Sequence, residues 1–186
     1  MNRWHLERAV RALRLGGVVL HATEGVWGLA CDPFDAAAVH RVLDLKQRPV
    51  SKGLIVIGAS AETFEPELAA VAAPVRRRVL AAWPGAVTWI LPNRTFPPWI
   101  TGGRPDVAVR VPGHPQARAL AAAFGGPLVS TSANAGGRPP ATRAIVARRQ
   151  FPGDFPQASD YILPGEVLTP GAASQIRTLS GAVLRP

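Results

Sequence analysis

The chain has 186 residues, a net charge of +9 and a single cysteine, Cys31. This length suits one domain that buries about 70% of its unfolded surface without help from a disulfide or a structural metal. One cysteine excludes an internal disulfide and a cysteine cluster for zinc. The first residues lack the apolar core of a signal peptide, and no apolar run reaches the roughly 18 residues of a membrane helix, so we expect a cytoplasmic protein without a membrane segment.

The positive charge favours polyanionic partners such as nucleic acid, nucleotide phosphates or small carboxylates. Only two of the 21 basic residues are lysines, Lys46 and Lys52, and they flank Arg48 and Pro49. A compact ammonium, in a chain that otherwise uses arginine, indicates an anion site in this segment.

The first half of the chain alternates helical and strand patterns. In chain order, hydrophobic spacing predicts an amphipathic helix over 6–13, a strand over 18–20, a strand that runs into a loop over 23–30, a helix from Asp35 to Lys46 and a strand over 54–57. The last run is apolar and bounded by glycines, which is typical of a central strand buried on both faces. The second helix ends before an Arg-Pro pair, so its basic residues should project from a helix terminus.

The second half continues this alternation. Arg110 alternates with valines in its strand, so its side chain should point away from the valine face. The loop around Pro97 is expected to be exposed, and Thr142 is expected to cap a short helix. In chain order the predicted elements are a helix over 74–80, strands over 87–91 and 107–111, a helix over 115–124, a strand over 127–130, a helix over 142–149 and weak strands over 161–163 and 182–184.

These elements predict one α/β domain over residues 1–186, with a twisted, mixed parallel and antiparallel sheet and flanking helices. The sheet should be mixed because several connections are too short for the helical crossover between parallel neighbours. Polar segments follow strand or helix ends at 23–24, 46–52 and 130–134. Crevices outside strand ends are common ligand sites in open α/β sheets, so we expect these segments to meet in one open basic cleft rich in hydroxyls.

Common nucleotide and hydrolase motifs are absent from the sequence. It contains neither the GxxxxGK[ST] phosphate loop nor the GxGxxG dinucleotide fingerprint, so any nucleotide is held in another way. A serine-hydrolase site is not expected, because there is no GxSxG elbow and no histidine within the Ser132 segment. Ser132 is therefore expected to donate hydrogen bonds, and Glu24 either accepts a backbone N–H or acts as a base.

Five ordered segments carry a family resemblance. They read TEGVWGL at 23–29, KQRP at 46–49 followed by KGL at 52–54, WPGAVT at 83–88, VAVRVP at 107–112 and STSAN at 130–134. In order and spacing they resemble the YrdC/Sua5 (TsaC) family of threonylcarbamoyl-AMP synthases in its short, single-domain form. Three positions depart from the usual pattern: Ala22 replaces a proline, Thr178 replaces an aspartate, and Trp27 replaces a tyrosine or phenylalanine and is expected to line the amino-acid end of the cleft.

The resemblance implies a YrdC-like fold and a reaction of L-threonine, bicarbonate and ATP, with Mg²⁺ accompanying ATP. The products would be threonylcarbamoyl-AMP and pyrophosphate, for the N6-threonylcarbamoyladenosine modification of tRNA. A downstream tRNA threonylcarbamoyl-transferase complex would be a partner, and tRNA is a candidate ligand of the basic cleft. The chemistry brings a carbamate to an anionic phosphate, so it needs charge neutralisation and orientation rather than a covalent nucleophile.

The resemblance also implies roles for individual residues, none of them as a metal ligand. Lys46 and Arg48 would be catalytic and would contact the nucleotide. Four further residues would bind substrate, namely Thr23, Lys52, Arg110 and Thr131. Four others would bind the nucleotide, namely Ser132, Asn134, Arg143 and Ser174.

Two other functions use the same features. A basic module that binds double-stranded RNA or tRNA without catalysis would also need a cationic cleft, although the scattered aromatic residues do not favour stacking on single strands. An adenylate-forming enzyme for another small amino acid would share the motifs and differ only in its pocket. Pyrophosphate release with different amino acids separates these alternatives.

Overall fold

A nine-stranded sheet organises the chain in the computed structural model, which describes residues 2–171 and 173–185. Across the sheet the strands follow the order β7-β1-β2-β6-β3-β5-β4-β8-β9. In chain order they are β1 (Val19–Ala22), β2 (Trp27–Cys31), β3 (Ile55–Ile57), β4 (Val87–Pro92), β5 (Asp106–Arg110), β6 (Leu128–Ser132), β7 (Tyr161–Ile162), β8 (Gln175–Arg177) and β9 (Val183–Arg185).

The pairing of these strands is mixed. β1 with β7, β3 with β5 and β4 with β8 are parallel, and the other five neighbouring pairs are antiparallel. β3 lies in the middle of the sheet, as its continuous apolar run predicts. The predicted mixed α/β sheet is therefore confirmed.

Helices flank the sheet on both faces. The side chains of Asn2 and Asp35 accept hydrogen bonds from backbone N–H groups in the first turns of the first two helices, which fixes where they begin. None of the described helices has the length and apolarity needed to cross a bilayer. The helices are α1 (Arg3–Arg14), α2 (Ala36–Leu45), α3 (Glu65–Ala69), α4 (Ala73–Ala81), α5 (Pro98–Thr101), α6 (Pro115–Phe124) and α7 (Ala144–Arg149), with single 3-10 turns at Val50–Lys52 and Ala61–Phe64.

The main core lies on one face of the sheet. Alternate strand residues, among them Leu29, Val56 and Val109, are fully buried there with Val39 of α2 and Leu68 of α3. These short apolar strands form because side chains on this face of each strand pack against helices, which removes apolar area from water.

The opposite face is only partly covered. α1 and α6 pack over the ends of β1, β2, β3 and β6, where Val19, Ala30, Ile57 and Leu128 are fully buried together with Leu13 and Leu120. The rest of this face is not under these two helices, and it carries the cleft described below.

Two predictions about local structure are wrong. The segment after Pro97 is not an exposed loop but begins α5: the Ile100 side chain is fully buried in the main core, and its carbonyl accepts the N–H of Leu54, next to β3. Thr142 does not cap α7: the residue with extended backbone angles before that helix is Arg143, which makes no side-chain cap bond.

Strands β2 and β8 also differ from expectation. Residues 27–31 form a fully buried strand rather than a strand edge, because β1 and β6 pair with it on both sides. Trp27 belongs to the main core and does not line the cleft, so the prediction for this ring is wrong: the pleat places it on the face opposite Gly28. The three-residue strand β8 was not predicted from the sequence.

Candidate functional site

The uncovered part of the second sheet face forms a cleft of about 490 Å³. Side chains on this face form its floor, and the register makes Ala108 a direct neighbour of both Ile55 and Ile90. Gly28 and Ser130 continue the floor on β2 and β6. The volume and the mixture of apolar floor and polar wall suit a small-molecule ligand.

The cleft collects most of the predicted site residues. Arg143 is the exception: it is exposed at the start of α7 and does not contribute to the lining, so the structure does not bring it together with the others. The predicted residues that line the cleft are Thr23, Lys46, Arg48, Lys52, Arg110, Thr131, Ser132, Asn134 and Ser174.

Lys46 directly follows the last residue of α2 and is only 5% exposed. Its ammonium donates to the carbonyl of Ser132 and, at 3.0 Å, to that of Asn134, while the N–H of Gly136 donates back to the Lys46 carbonyl at 2.9 Å. Burial, and to a lesser degree the charge of Arg48, lowers the pKa of Lys46 to about 8. Lys46 therefore joins the helix end to the serine-rich loop and keeps a third donor for an anion.

The chain after Lys46 turns tightly and holds Arg48 against the wall. Gln47 has a φ of 49°, and a 3-10 turn at Val50–Lys52 ends at Gly53 with a φ of 60°. The Nε and Nη2 atoms of Arg48 donate to the Gly53 carbonyl at 3.3 and 3.1 Å. The positive φ at Gly53 is a conformation that glycine adopts readily, and it directs this carbonyl toward the guanidinium.

Arg104 adds a cation that the sequence did not single out. Its Nη1 donates to the Ser51 carbonyl at 2.9 Å, which places it beside the 3-10 turn. Burial, and then the charge of Arg104, lowers the pKa of Arg48. Arg104 Nε also lies 3.5 Å from Asp106 Oδ1, and an anion bound in the cleft would further reduce the repulsion between the two guanidinium groups.

A buried ion pair forms another wall. Glu24 Oε2 lies 3.2 Å from Arg110 Nη2, and Glu24 Oε1 accepts the N–H of Gly113 at 2.7 Å. Of the two roles considered for Glu24, the structure therefore shows that of an acceptor for a backbone N–H. The Nε atom of Arg110 is buried and has no hydrogen-bond acceptor among the described residues. Arg110 itself lines the cleft, so its charge favours a ligand carboxylate there.

The Thr23 segment also anchors the chain that leads to Ser174. The Thr23 hydroxyl donates to the carbonyl of Val26 at 2.6 Å, so only its lone pairs remain for a ligand. The Glu24 carbonyl accepts the N–H groups of Leu168 and Thr169 at 2.8 and 2.7 Å. These bonds fix the segment that runs from β7 to the far side of the cleft.

Ser174 lies at the far side with a second cation missed by the sequence analysis. Arg185 of β9 donates from Nη2 to the Ser174 carbonyl at 2.7 Å and to its Oγ at 3.1 Å. Thr88 Oγ1 lies 3.1 Å from the same Oγ. Among nineteen arginines, nothing in the sequence distinguishes Arg104 or Arg185, because only pairing of distant strands brings them to the cleft.

The lining is strongly cationic. Among the described residues that line the cleft there is no aspartate or glutamate, and Glu24 lies behind Arg110. Such a site suits a ligand with several negative charges, which would relieve the mutual repulsion of the cations. The basic residues of the lining are Lys46, Arg48, Lys52, Arg104, Arg110 and Arg185.

Comparison with known proteins places the chain in a family. The sequence profile of the Sua5/YciO/YrdC family, described as telomere recombination, matches residues 11–186. A threonylcarbamoyl-AMP synthase from Stenotrophomonas maltophilia is 47% identical over 189 residues, covering 100% of both chains. One from Cellvibrio japonicus is 47% identical over 180 residues, covering 96% of this chain and 93% of the other.

Solved structures give the same result. P. abyssi Sua5 complexed with L-threonine matches with a TM-score of 0.89 and 32% identity, over 100% of this chain and 55% of that one, so this chain spans about half of that Sua5. E. coli YciO, at 23% identity, shares the fold with a TM-score of 0.85 over 99% of this chain and 89% of that one. By its sequence profile, its full-length relatives and its fold, the chain belongs to the Sua5/YciO/YrdC family.

Proposed function

We propose that this chain is a threonylcarbamoyl-AMP synthase, which converts L-threonine, bicarbonate and ATP into threonylcarbamoyl-AMP and pyrophosphate. Full-length relatives of that name at 47% identity support the proposal. The observation that carries it is the meeting of Lys46 and Arg48 with the Ser132 to Asn134 loop in one cationic cleft. This arrangement provides charge and hydrogen-bond donors for a nucleotide without a glycine-rich phosphate loop.

The phosphates of ATP would lie against the cluster formed by Lys46, Arg48, Lys52 and Arg104. The main-chain carbonyls of Ser132 and Asn134 accept from the Lys46 ammonium, and the side chains of these two cleft-lining residues would bind the nucleotide. Ser174, with Arg185 held on it, would complete this end of the site.

L-threonine would bind at the end of the cleft lined by Thr23 and Arg110. Thr131 contributes its main chain at this end, because its side chain is on the face of its pairing partner Leu29. A carboxylate there would be attracted by the charge of Arg110, which lines the cleft. The Thr23 hydroxyl, whose proton is directed at Val26, would accept from the substrate amine. A solved Sua5 complexed with L-threonine supports an amino-acid site in this fold.

The reaction joins two anions. The threonine amine adds to CO₂ derived from bicarbonate, and the carbamate forms as a proton leaves to water. A carbamate oxygen then attacks the α-phosphorus, and the bond from that phosphorus to pyrophosphate breaks as pyrophosphate takes the electron pair. Cations fixed before the reaction begins stabilise the charge that develops on the phosphate oxygens, and holding both reactants in one cleft lowers the entropic part of the barrier.

Mg²⁺ would enter with ATP rather than occupy a site of its own. No group of three or more histidine, cysteine, aspartate or glutamate side chains in the described parts of the chain is placed to hold a metal ion. The lining offers hydroxyls such as Ser132, which are hard oxygen donors that magnesium accepts alongside phosphate and water. When bound, the ion would neutralise phosphate charge.

The direct test is pyrophosphate release from ATP, Mg²⁺ and bicarbonate with threonine, serine, alanine or no amino acid. The proposal predicts release that depends on both bicarbonate and threonine, with threonine preferred. No release with any amino acid would favour a non-catalytic RNA-binding module, and release with another amino acid in preference to threonine would indicate a related adenylate-forming enzyme.

Two partners extend the proposal. A tRNA threonylcarbamoyl-transferase complex would consume the adenylate, since a mixed carbamic-phosphoric anhydride is an activated donor. tRNA itself is a candidate ligand because the cleft is open and cationic, and its binding should weaken steeply with salt. A cytoplasmic location is the setting in which both partners would be met.

A further inference from the structure

A buried histidine and serine meet at the edge of the cleft. His21 on β1 lies directly opposite Gly28 on β2, and Ser130 lies on β6, the next strand across. His21 Nε2 is 3.2 Å from Ser130 Oγ, and both residues are buried. The imidazole therefore reaches across one strand to the serine hydroxyl.

Gly28 makes this contact possible. A Cβ atom at position 28 would lie 3.2 Å from His21 Nε2 and 3.4 Å from Ser130 Oγ. Any larger side chain would occupy the space between the two groups. The glycine at the second position of β2 thus has a structural reason, which is the close approach of these side chains.

The direction of the hydrogen bond follows from the other ring nitrogen. His21 Nδ1 is 3.2 Å from the Ala22 carbonyl, which can only accept, so Nδ1 carries the proton and Nε2 is the acceptor. Burial, followed by the neighbouring His114, lowers the pKa of His21 to about 4, so the ring is neutral at pH 7. Ser130 therefore donates to His21, and its lone pairs are left for the cleft that it lines.

We propose that His21 is a positioning residue that fixes the Ser130 hydroxyl as a hydrogen-bond acceptor for the amino-acid substrate, an inference that rests on the proposed function. The Thr23 hydroxyl is likewise left as an acceptor, because its own proton is donated to the Val26 carbonyl. With Arg110 in the same lining, this end of the cleft presents two oxygen acceptors and one cation. That set is complementary to an N–H or O–H donor and a carboxylate of one small amino acid.

Calorimetric titration of L-threonine into the full chain, together with steady-state pyrophosphate release, tests this pair. Ser130→Ala and His21→Phe should each weaken threonine binding and raise its KM by about tenfold, as expected for one lost hydrogen bond, while the KM for ATP stays within about twofold. His21→Gln keeps an acceptor near the position of Nε2 and should restore binding to within about threefold of wild type. The double variant should bind no more weakly than Ser130→Ala alone.

Repeating the titration with 2-aminobutyrate, which lacks the hydroxyl of threonine, identifies which substrate group donates to Ser130. An equal loss for both amino acids in Ser130→Ala assigns the amine, and a loss confined to threonine assigns the hydroxyl. Wild-type affinity in Ser130→Ala, or losses from His21→Phe and Ser130→Ala that add in full, would overturn the proposal. Threonine binding without pyrophosphate release would contradict the proposed function alone, whereas no binding by the wild type would contradict both.

Discussion

Two halves of one sheet face differ in chemistry although they share the same strands. On β2 and β6 the residues under α1 and α6 are Ala30 and Leu128, and two positions along the same strands are Gly28 and Ser130. Residues two apart point to the same side of a strand, so one step of the pleat separates an apolar core from a polar cleft. The helices above the strands, rather than the strands themselves, decide which half binds a ligand.

In the open half, the buried ion pair of Glu24 with Arg110 should contribute most to stability. Glu24→Ala leaves the buried Arg110 guanidinium without its carboxylate, and we expect the free energy of unfolding to fall by about 3–5 kcal/mol. Urea denaturation measures this change. The matched control is Glu65→Ala, which breaks an exposed pair with Arg76 and should cost less than about 1 kcal/mol. Equal losses would show that burial does not distinguish the two pairs.

In the half covered by α1 and α6, stability should depend on apolar packing alone. Leu128 is fully buried beneath α1 and α6, so Leu128→Ala should lower the free energy of unfolding by about 3 kcal/mol. Below the unfolding transition, turnover per folded molecule should stay near that of wild type. Leu15→Ala, at a residue that is 65% exposed, is the control and should change stability by no more than about 0.5 kcal/mol. Loss of turnover without loss of stability would contradict the division between the two halves.

The cations of the cleft should matter for turnover more than for folding. Lys46→Ala removes the ammonium that joins Ser132 and Asn134, and we expect turnover to fall by at least about tenfold with the fold retained. Lys52→Ala, at the exposed neighbouring lysine, should have a smaller effect. Circular dichroism measures whether the fold is retained, and steady-state kinetics measures turnover. Wild-type turnover in Lys46→Ala would remove Lys46 from the catalytic site.

The lowered pKa of Lys46 predicts a smaller effect, which is a change of activity with pH. Above about pH 8 the folded chain loses this proton, whereas an unfolded chain keeps it up to about 10.5, so kcat/KM for ATP should fall as pH rises through 8. In the same interval the unfolded state binds more protons, and this group should make stability rise with pH. Lys46→Arg keeps its charge and should remove the step near pH 8. A step that persists in this variant belongs to another group.

Local sequence was sufficient for part of this structure. The apolar run over residues 54–57 predicts the central strand, and the polar segments at 23–24, 46–52 and 130–134 predict the cleft that they form. Both predictions use the periodicity of neighbouring residues or motifs within a few positions. The chain order of helices and strands follows for the same reason.

Pairings between distant segments were beyond the sequence. The ion pair of Glu24 with Arg110 and the contact of His21 with Ser130 depend on which strands become neighbours and in what register. Trp27 was expected in the cleft because it is close to Thr23 and Glu24 in sequence, whereas the pairing of β2 with β1 and β6 makes residues 27–31 a regular strand and places this ring in the core.

The most direct test of the account is mass spectrometry of the products formed from ATP, Mg²⁺, L-threonine and ¹³C-labelled bicarbonate. We expect threonylcarbamoyl-AMP that carries one labelled carbon, formed with one pyrophosphate per adenylate and in greatly reduced amount in Lys46→Ala. A folded wild-type chain that binds ATP but forms neither the labelled adenylate nor pyrophosphate would contradict it.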